Sequence, residues 1–405
     1  MNKQVLYWGL YDFANSIVLL AFLFYFSQWL VVDEGRPSWW YNGALIAASI
    51  LYIATAPYFS RLVDLSGQKM RGLRVWTFLA VMLMAIVALI ALFSHALDGV
   101  AAILYACGMY AYLMCFLYFT PMLNDLSTFS DRGRISGIGQ GFNSAGQVAG
   151  LLFTLPFING TITLWGDAGR AQALLPSVVL FILFALPMLL LYRESPASAS
   201  SAETPGTPLT LLRTVLSNKP LALLLIGYFF FSDALLTFAN NFPLYLEKVF
   251  AVPDMTKALL TIAILGLAAI GSPILGHFAD RWGHRRTLVC ILALYCALLV
   301  ALSFTTSFSA AMVFSLVAGL LFGPVWAISR AMVGQLAPQG LVASSFNYYI
   351  VAERFATFAG PLAWSGALIV WGEGARGYQA ALLGMAVLLA IGLVFTVRVR
   401  DTSLQ

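Results

Sequence analysis

The sequence is poor in charge. Only 10% of its 405 residues are Asp, Glu, Lys or Arg, whereas 61% are hydrophobic. An ordinary soluble domain carries roughly a quarter charged residues, so this chain has too little polar surface to face water. The composition argues against a soluble domain and predicts an integral membrane protein.

Cysteine and histidine are also scarce, with four and three residues respectively. All four cysteines fall inside apolar runs, with neither a disulfide pattern nor metal-ligand spacing. No Ser-His-Asp arrangement predicts a hydrolase, and no glycine-rich turn between a strand and a helix predicts nucleotide binding. We therefore expect no metal, no cofactor and no enzymatic activity.

Long apolar runs fill most of the chain. Lipid excludes unpaired backbone, so each run of about 20 residues predicts a membrane-spanning helix. Twelve spans are predicted, at 6–31, 41–61, 74–95, 99–121, 136–157, 174–192, 221–246, 258–278, 287–305, 309–329, 343–371 and 378–398. The first run lacks a small-residue cleavage site, so we expect it to remain as a helix.

Basic residues are distributed unevenly between the two sides of these spans. If both termini are cytoplasmic, most of the 22 Lys and Arg residues lie in cytoplasmic loops and tails. This bias predicts cytoplasmic termini and a multi-pass protein of the inner (cytoplasmic) membrane. The net charge of +5 follows from the same bias and requires no nucleic-acid partner. We expect a monomer in the lipid bilayer.

One stretch, GSPILGHFADRWGHRR at 271–286, links two predicted spans through a short basic loop. An earlier stretch, SRLVDLSGQKMR at 60–71, places Asp64 and Gly67 at the same separation as Asp280 and Gly283. This internal similarity predicts a chain built from two repeated halves.

The only polar low-complexity stretch lies between predicted spans six and seven and contains SPASASSAETPGTP. Its composition is typical of a flexible linker. The sequence therefore predicts an N-terminal six-helix bundle at 1–192, a cytoplasmic linker at 193–220 and a C-terminal six-helix bundle at 221–405.

The loop at 271–286 resembles the signature loop of major facilitator superfamily transporters, and 60–71 is a weaker copy in which Ser60 replaces the first glycine. The resemblance implies an all-α membrane protein with the major facilitator fold, twelve transmembrane helices in two pseudo-symmetric bundles. It also implies that the loops act as cytoplasmic latches. The predicted gating residues are Asp64, Gly67, Gly276, Asp280, Arg281, Gly283, Arg285, Arg286 and Arg330.

Polar residues interrupt the first predicted helix. Asp12, Asn15 and Ser16 share one helical face, with Trp8 one turn earlier. A carboxylate in a lipid-spanning segment is costly, so it should face a partner or a water-filled cavity. Asp12 is a candidate coupling residue, and Trp8, Tyr11 and Asn15 are candidate substrate-binding residues. The alternative is a structural ion pair between Asp12 and a nearby arginine, either Arg134 or Arg330.

The fifth predicted helix carries two superposed patterns. Its small residues are Gly137, Gly141, Ala145 and Ala149, and its amides are Gln140, Asn143 and Gln147. Small residues allow close helix packing, and amides on one face suit hydrogen bonding to a solute in a central cavity. The amides are predicted to bind substrate, and the alternative is hydrogen bonding between helices.

The seventh and eleventh predicted helices also carry polar and charged residues within apolar runs. The seventh carries Asp233, Thr237 and Asn240 on one face, and the eleventh carries Asn347, Glu353 and Arg354. Asp233 and Arg354 fall at similar depth, so we predict that they pair, with Glu353 directed elsewhere on its helix. Asp233, Glu353 and Arg354 are candidate coupling residues, and Thr237, Asn240 and Asn347 are candidate substrate-binding residues. The alternative is a static buried ion pair.

Four stretches resemble a narrower group, the autophagy-related vacuolar effluxer family and its bacterial relatives. They are YDFANS at 11–16, DRGRISGIGQG at 131–141, FFFSDALLTF at 229–238, and the run from Gly323 through Ser329-Arg330, Pro338 and Arg354 to Gly360-Pro361. The resemblance implies a secondary transporter that exports an amino acid or similar zwitterion by alternating access. We expect proton coupling, with Na⁺ as the other ion to consider. The alternatives are a lipid or lysolipid flippase and a transporter-like receptor without turnover.

Overall fold

The computed structural model describes residues 2–166, 168–194, 208–355, 359–372 and 374–399. Every regular element in these ranges is a helix. Contacts divide the chain into two compact units. The first comprises Met1–Leu126 and Phe142–Glu203, and the second comprises Ser127–Gly141 and Thr204–Gln405.

The first unit contains most of the N-terminal helices. In chain order they are α1 (Lys3–Ala21), α2 (Ser38–Ser66), α3 (Lys69–Phe93), α4 (Asp98–Phe119), α5 (Leu123–Leu126), the later part of α6 (Arg132–Ile158) and α7 (Leu174–Leu191). Helix α1 packs against α7, and α4 packs against both α2 and α3. Two π-helical turns, Phe22–Phe26 and Trp29–Asp33, prolong α1.

The second unit contains the first residues of α6 and eight further helices. These are α8 (Pro208–Ser217), α9 (Lys219–Phe250), α10 (Asp254–Trp282), α11 (His284–Phe304), α12 (Phe308–Leu336), α13 (Val342–Phe355), α14 (Ala359–Trp371) and α15 (Ala375–Val397). Helix α15 packs against α9 and α11, and α10 packs against α12. Aliphatic and aromatic side chains fill the interior of each unit.

Within the described residues, ten helices are long and apolar enough to cross a membrane. The predicted fifth span is present as α6 but is not among the ten, because its amides and glycines lower its hydropathy. The predicted eleventh span is present as α13 and α14, and residues 356–358 between them lie outside the described ranges. These two cases account for the difference from the twelve spans predicted.

The predicted linker, 193–220, contains helical structure. Residues 195–207 lie outside the described ranges, but α8 occupies Pro208–Ser217 and α9 already begins at Lys219. Helix α8 is amphipathic, with Leu211 and Val215 buried and Arg213 exposed. Leu211 and Val215 are four residues apart, which is the spacing of one helical face, but the low-complexity composition of the stretch led us to predict a linker.

Gly67 and Gly283 end the helices that precede the two similar loops. Gly67 has φ 67° and donates its backbone N–H to the carbonyl of Val63, and Gly283 has φ 101° and donates to the carbonyl of Ala279. A positive φ strains residues that have a Cβ, so glycine is the residue suited to both turns. The turns place Asp64 and Asp280 at the ends of their helices.

Candidate functional site

A polar chain joins α1 and α6 in the first unit. The side-chain amide of Asn143 donates to Asp12 Oδ1 at 3.0 Å, and the amide of Gln147 donates to Asn143 Oδ1 at 2.9 Å. Asp12 is 1% exposed. The predicted coupling carboxylate and two of the predicted amides therefore lie in one hydrogen-bonded chain, here called the Asp12 chain.

Small residues bring the two helices together at this point. A Cβ on Gly146 would lie 2.3 Å from the carbonyl oxygen of Phe13, and a Cβ on Gly150 would lie 3.2 Å from the Cα of Ile17. The close approach of the α1 and α6 backbones therefore requires glycine at 146 and is tight at 150. The close approach places Asn143 within reach of Asp12. The small-residue pattern predicted from the sequence did not include Gly146 or Gly150.

Asn15 lies one turn beyond Asp12 on α1. Its side chain is fully buried, and among the described residues neither its amide nitrogen nor its amide oxygen has a hydrogen-bond partner. A buried amide without partners is costly, on the order of 1–3 kcal/mol for each unmade bond. Asn15 therefore offers both a donor and an acceptor for a polar group.

The other two candidates on α1 belong to the aromatic interior. Trp8 stacks on Phe119 at 5.0 Å between ring centroids and donates its indole N–H to the carbonyl of Phe119 at 3.3 Å. The hydroxyl of Tyr11 is hydrogen-bonded to that of Thr77 at 2.5 Å. Both side chains are fully buried. Gln140 lies one turn before Asn143, in the part of α6 that belongs to the second unit.

In the second unit, Asp233 on α9 contacts the first turn of α14. Its Oδ2 accepts the backbone N–H of Gly360 at 2.5 Å, and its Oδ1 accepts the hydroxyl of Thr237 at 3.5 Å. The side chain is buried, and a Cβ on Gly360 would lie 2.6 Å from Asp233 Oδ1. The carboxylate thus joins α9 to α14 through a backbone N–H group.

The predicted pair between Asp233 and Arg354 is wrong in this structure. Arg354 instead forms an ion pair with its neighbour Glu353 at 2.6 Å, although Glu353 was expected to point away from it. Both residues are in the last turn of α13, where long side chains can bend toward each other across adjacent positions. Counting residues along each helix predicted that Asp233 and Arg354 lie at similar depth in the membrane. It could not predict which side chains are in contact.

Glu353 also accepts a hydrogen bond from the hydroxyl of Tyr228 on α9. Tyr228 is fully buried and stacks on Tyr349 at 3.9 Å between ring centroids. The hydroxyl of Tyr349 is hydrogen-bonded to Ser329 Oγ on α12 at 2.9 Å. The cluster of Glu353, Arg354, Tyr228, Tyr349 and Ser329, here called the Glu353 cluster, therefore involves three helices.

The remaining two candidates of the second unit have different surroundings. Asn347 on α13 is fully buried. Asn240 on α9 is exposed and is separate from the hydrogen bonds of Asp233 and Thr237.

The signature loop contacts the start of α6 within the second unit. The carboxylate of Asp280 accepts the backbone N–H groups of Gly133 and Arg134, each at 2.7 Å. These N–H groups are in the first turn of α6, where a negative charge also interacts favourably with the helix dipole. His284 Nε2 lies 3.0 Å from Asp280 Oδ1, and the Asp280 side chain is 4% exposed. Asp280 therefore joins the signature loop to the first turn of α6.

Arg330 on α12 supplies a second contact with α6. Its guanidinium donates to Ser136 Oγ at 3.0 Å and to the Ser136 carbonyl at 2.9 Å. Ser136 Oγ in turn donates to the carbonyl of Ala327 at 2.6 Å. We call these contacts of Asp280 and Arg330 with α6 residues 133–136 the α6 latch.

The other predicted gating residues surround this latch or belong to the similar loop. A Cβ on Gly276 would lie 2.3 Å from the carbonyl of Gly133, so α10 and α6 meet without side chains between them. Arg281 and Arg286 are exposed, and Arg285 donates to the carbonyl of Val397. Asp64 is half-buried at the end of α2.

Sequence reasoning missed Tyr228, Ser136 and Gly133 as members of these sites. Ser136 and Gly133 lie inside DRGRISGIGQG, which was noted only for its resemblance. A serine and a glycine in the first turn of a polar helix are the signal that could have identified them. Tyr228 carries no such signal, because tyrosine is common in apolar helices.

Comparisons with known proteins agree with this architecture. The profile of the Major Facilitator Superfamily matches residues 9–272 and 253–404. An uncharacterized MFS-type transporter of Bacillus subtilis, YxiO, is 21% identical and covers 97% of this chain and 94% of its own length.

Solved structures show the same fold. The human organic anion transporter MFSD10 has a TM-score of 0.70 at 15% identity, covering 97% of this chain and 99% of that one. The Escherichia coli fucose:proton symporter FucP has a TM-score of 0.68 at 16% identity, covering 99% and 97%. The all-α major facilitator fold predicted from the sequence is confirmed, and the chain belongs to the major facilitator superfamily.

Proposed function

We propose that this protein is a secondary active transporter that exports a small zwitterionic solute, such as an amino acid, by alternating access and in exchange for protons. It is a multi-pass membrane protein, and we place it in the inner membrane as a monomer with both termini cytoplasmic. The observation that carries the proposal is the Asp12 chain, together with the buried amide of Asn15, which has no hydrogen-bond partner among the described residues.

The chemistry of these groups favours a solute of low net charge. Asn143 and Gln147 are neutral, and each amide offers both a donor and an acceptor. Asp12 adds one carboxylate, which attracts an ammonium group. An α-amino acid presents an ammonium and a carboxylate close together, so it can use the carboxylate of Asp12 and the N–H of an amide at the same time. A multiply charged anion would meet Asp12 unfavourably.

The α6 latch supports alternating access. It joins the first turn of α6 to α10 and α12 through groups that can separate without breaking a helix. We propose that the latch closes the cytoplasmic side in one state and opens in the other. The predicted orientation, with basic loops in the cytoplasm, places the latch on that side.

Proton coupling is supported by the carboxylates in apolar helices. Asp12 and Asp233 lie on helices long and apolar enough to cross a membrane, and Glu353 lies on α13 in the predicted eleventh span. Carboxylates in such helices are rare and commonly take part in ion pathways. FucP, which shares the fold, is a fucose:proton symporter, and MFSD10 is an organic anion transporter. These relatives support transport of a small organic solute, and the zwitterion is our own inference from the Asp12 chain.

The first experiment measures the thermal stability of the purified protein against amino acids, short peptides, sugars and lysolipids. We expect stabilisation by at least one amino acid. In Asn143→Ala, binding of that solute should weaken by about 1 kcal/mol, roughly fivefold, because one hydrogen bond is lost. Gln147→Ala, at the half-buried end of the chain, should weaken it similarly while leaving Asp12 bonded to Asn143.

The control is Ser144→Ala, which alters a buried residue of α6 outside the Asp12 chain. The affinity of Ser144→Ala for the solute should equal that of the wild type. Unchanged affinity in both amide variants would assign the amides to helix packing. Stabilisation by lysolipids alone would favour the flippase, and binding without uptake into proteoliposomes would favour a receptor.

A further inference from the structure

Two carboxylates of the second unit, Asp233 and Glu353, could carry the coupling proton, and their surroundings differ. Asp233 is 1% exposed, and its two oxygens accept from Gly360 and Thr237. One of those donors is a backbone N–H at the start of α14, which cannot rotate away. Asp233 is therefore held against the backbone of α14 and is poorly placed to exchange a proton.

Glu353 has the opposite character. Its side chain is 21% exposed, and that of its partner Arg354 is 31% exposed. Both groups that bond it, the hydroxyl of Tyr228 and the guanidinium of Arg354, are at the ends of side chains. When the carboxylate takes up a proton, the Tyr228 ring can stay in place while its hydroxyl hydrogen rotates, and the Arg354 side chain can move.

We propose that Glu353 is the carboxylate that gains and loses the coupling proton, and that Tyr228 is the positioning residue that holds it. The proposal rests on the proton coupling proposed above and names its residue. Tyr228 is fixed in turn by its stacking on Tyr349, which is hydrogen-bonded to Ser329. The hydroxyl of Tyr228 therefore has a defined direction toward Glu353.

The charged and titratable groups around Glu353 come from each helix that packs on α13. Helix α9 contributes Tyr228, and α13 itself contributes Tyr349 and Arg354. Helix α12 contributes Arg330, which interacts electrostatically with Tyr349. The ionisable residue of α8 is Arg213, which is exposed. Glu353 thus meets one guanidinium and one phenol directly.

The test is an infrared titration of the purified protein in lipid nanodiscs without any solute, following the C=O stretch of protonated carboxyl groups. We expect one component of this titrating band to be absent in Glu353→Gln and retained in Asp233→Asn. In Tyr228→Phe the same component should appear at a pH higher by about one unit, the shift expected when one hydrogen bond to a carboxylate is lost. Tyr245→Phe is the control.

Tyr245 is a buried tyrosine of the same helix whose hydroxyl donates to the carbonyl of Leu302, and its variant should titrate like the wild type. A titrating band that loses no component in Glu353→Gln, or a Tyr228→Phe protein that titrates like the wild type, would overturn the proposal. If Glu353→Gln does not fold, the Tyr228→Phe titration decides alone, because only a carboxyl bonded to Tyr228 responds to it. The infrared titration needs no solute, so it tests the role of Glu353 even if no transported solute is found.

Discussion

Replacement of Asp280 by asparagine tests the α6 latch directly. The carboxylate accepts two backbone N–H groups of α6 at 2.7 Å and is 4% exposed, so water screens it little. Asparagine retains one acceptor oxygen and loses the charge. A hydrogen bond to a charged group is worth about 1.5–3 kcal/mol, so we expect the closed latch to lose about 2 kcal/mol, roughly thirtyfold in population.

The assay is cysteine labelling beneath the latch. Ala327 is fully buried, and its carbonyl accepts the hydroxyl of Ser136. We would introduce Ala327→Cys into a protein whose four native cysteines are alanine and measure its reaction with a water-soluble maleimide. The rate should follow the population of the open latch. Asp280→Asn should therefore label roughly thirtyfold faster, with the solute affinity measured by thermal stabilisation close to the wild-type value.

The matched control is Asp131→Asn. Asp131 precedes α6 and accepts from the backbone and hydroxyl of Thr128, so its replacement alters the same loop without touching Asp280. It should label at the wild-type rate. Wild-type labelling of the Asp280→Asn protein, or a large loss of solute affinity in it, would refute the role of Asp280 as a latch residue.

Two further predictions concern glycines at close contacts. Gly137→Ala places a Cβ 2.3 Å from a carbonyl oxygen of α10. It should destabilise the closed latch by about 1–3 kcal/mol and speed the labelling of Ala327→Cys. Gly266→Ala meets no atom within 4 Å and should label at the wild-type rate. Gly360→Ala places a Cβ 2.2 Å from Thr237 Oγ1 and should lower thermal stability measurably. Gly366→Ala, which also meets nothing within 4 Å, is its control, and equal stability of these two variants would argue against a tight contact at Gly360.

The sequence predicted the class of fold well because composition and apolar run length are themselves the physical requirement for crossing a membrane. The signature loop was also predictable, since its glycine and aspartate have fixed geometric roles at the end of a helix. The short helix α8 was not foreseen. It packs in part against α13, which is distant in sequence.

The candidate sites were predicted in part. Asp12, Asn143 and Gln147 meet because they lie on facing sides of two helices, which helical periodicity can indicate. The partner of Asp233 could not be obtained in this way, since depth places a residue along a helix but does not say which side faces its neighbour. The structure shows which side of each helix faces its neighbour. Asp233 is hydrogen-bonded to Gly360, and Glu353 is hydrogen-bonded to Tyr228.

The two π-helical turns at the end of α1 bear on how this chain should be compared with its relatives. A π turn holds one residue more than an α turn, so Phe22–Phe26 and Trp29–Asp33 each carry an added residue relative to a regular helix. Each added residue rotates everything beyond it by about 100°. Against a relative whose first helix is regular, an alignment that allows no gap here would match Trp29 and its neighbours to residues on the wrong side of that helix. A single-residue deletion in either turn should restore α geometry there, while leaving Asp12 and Asn15 where they are.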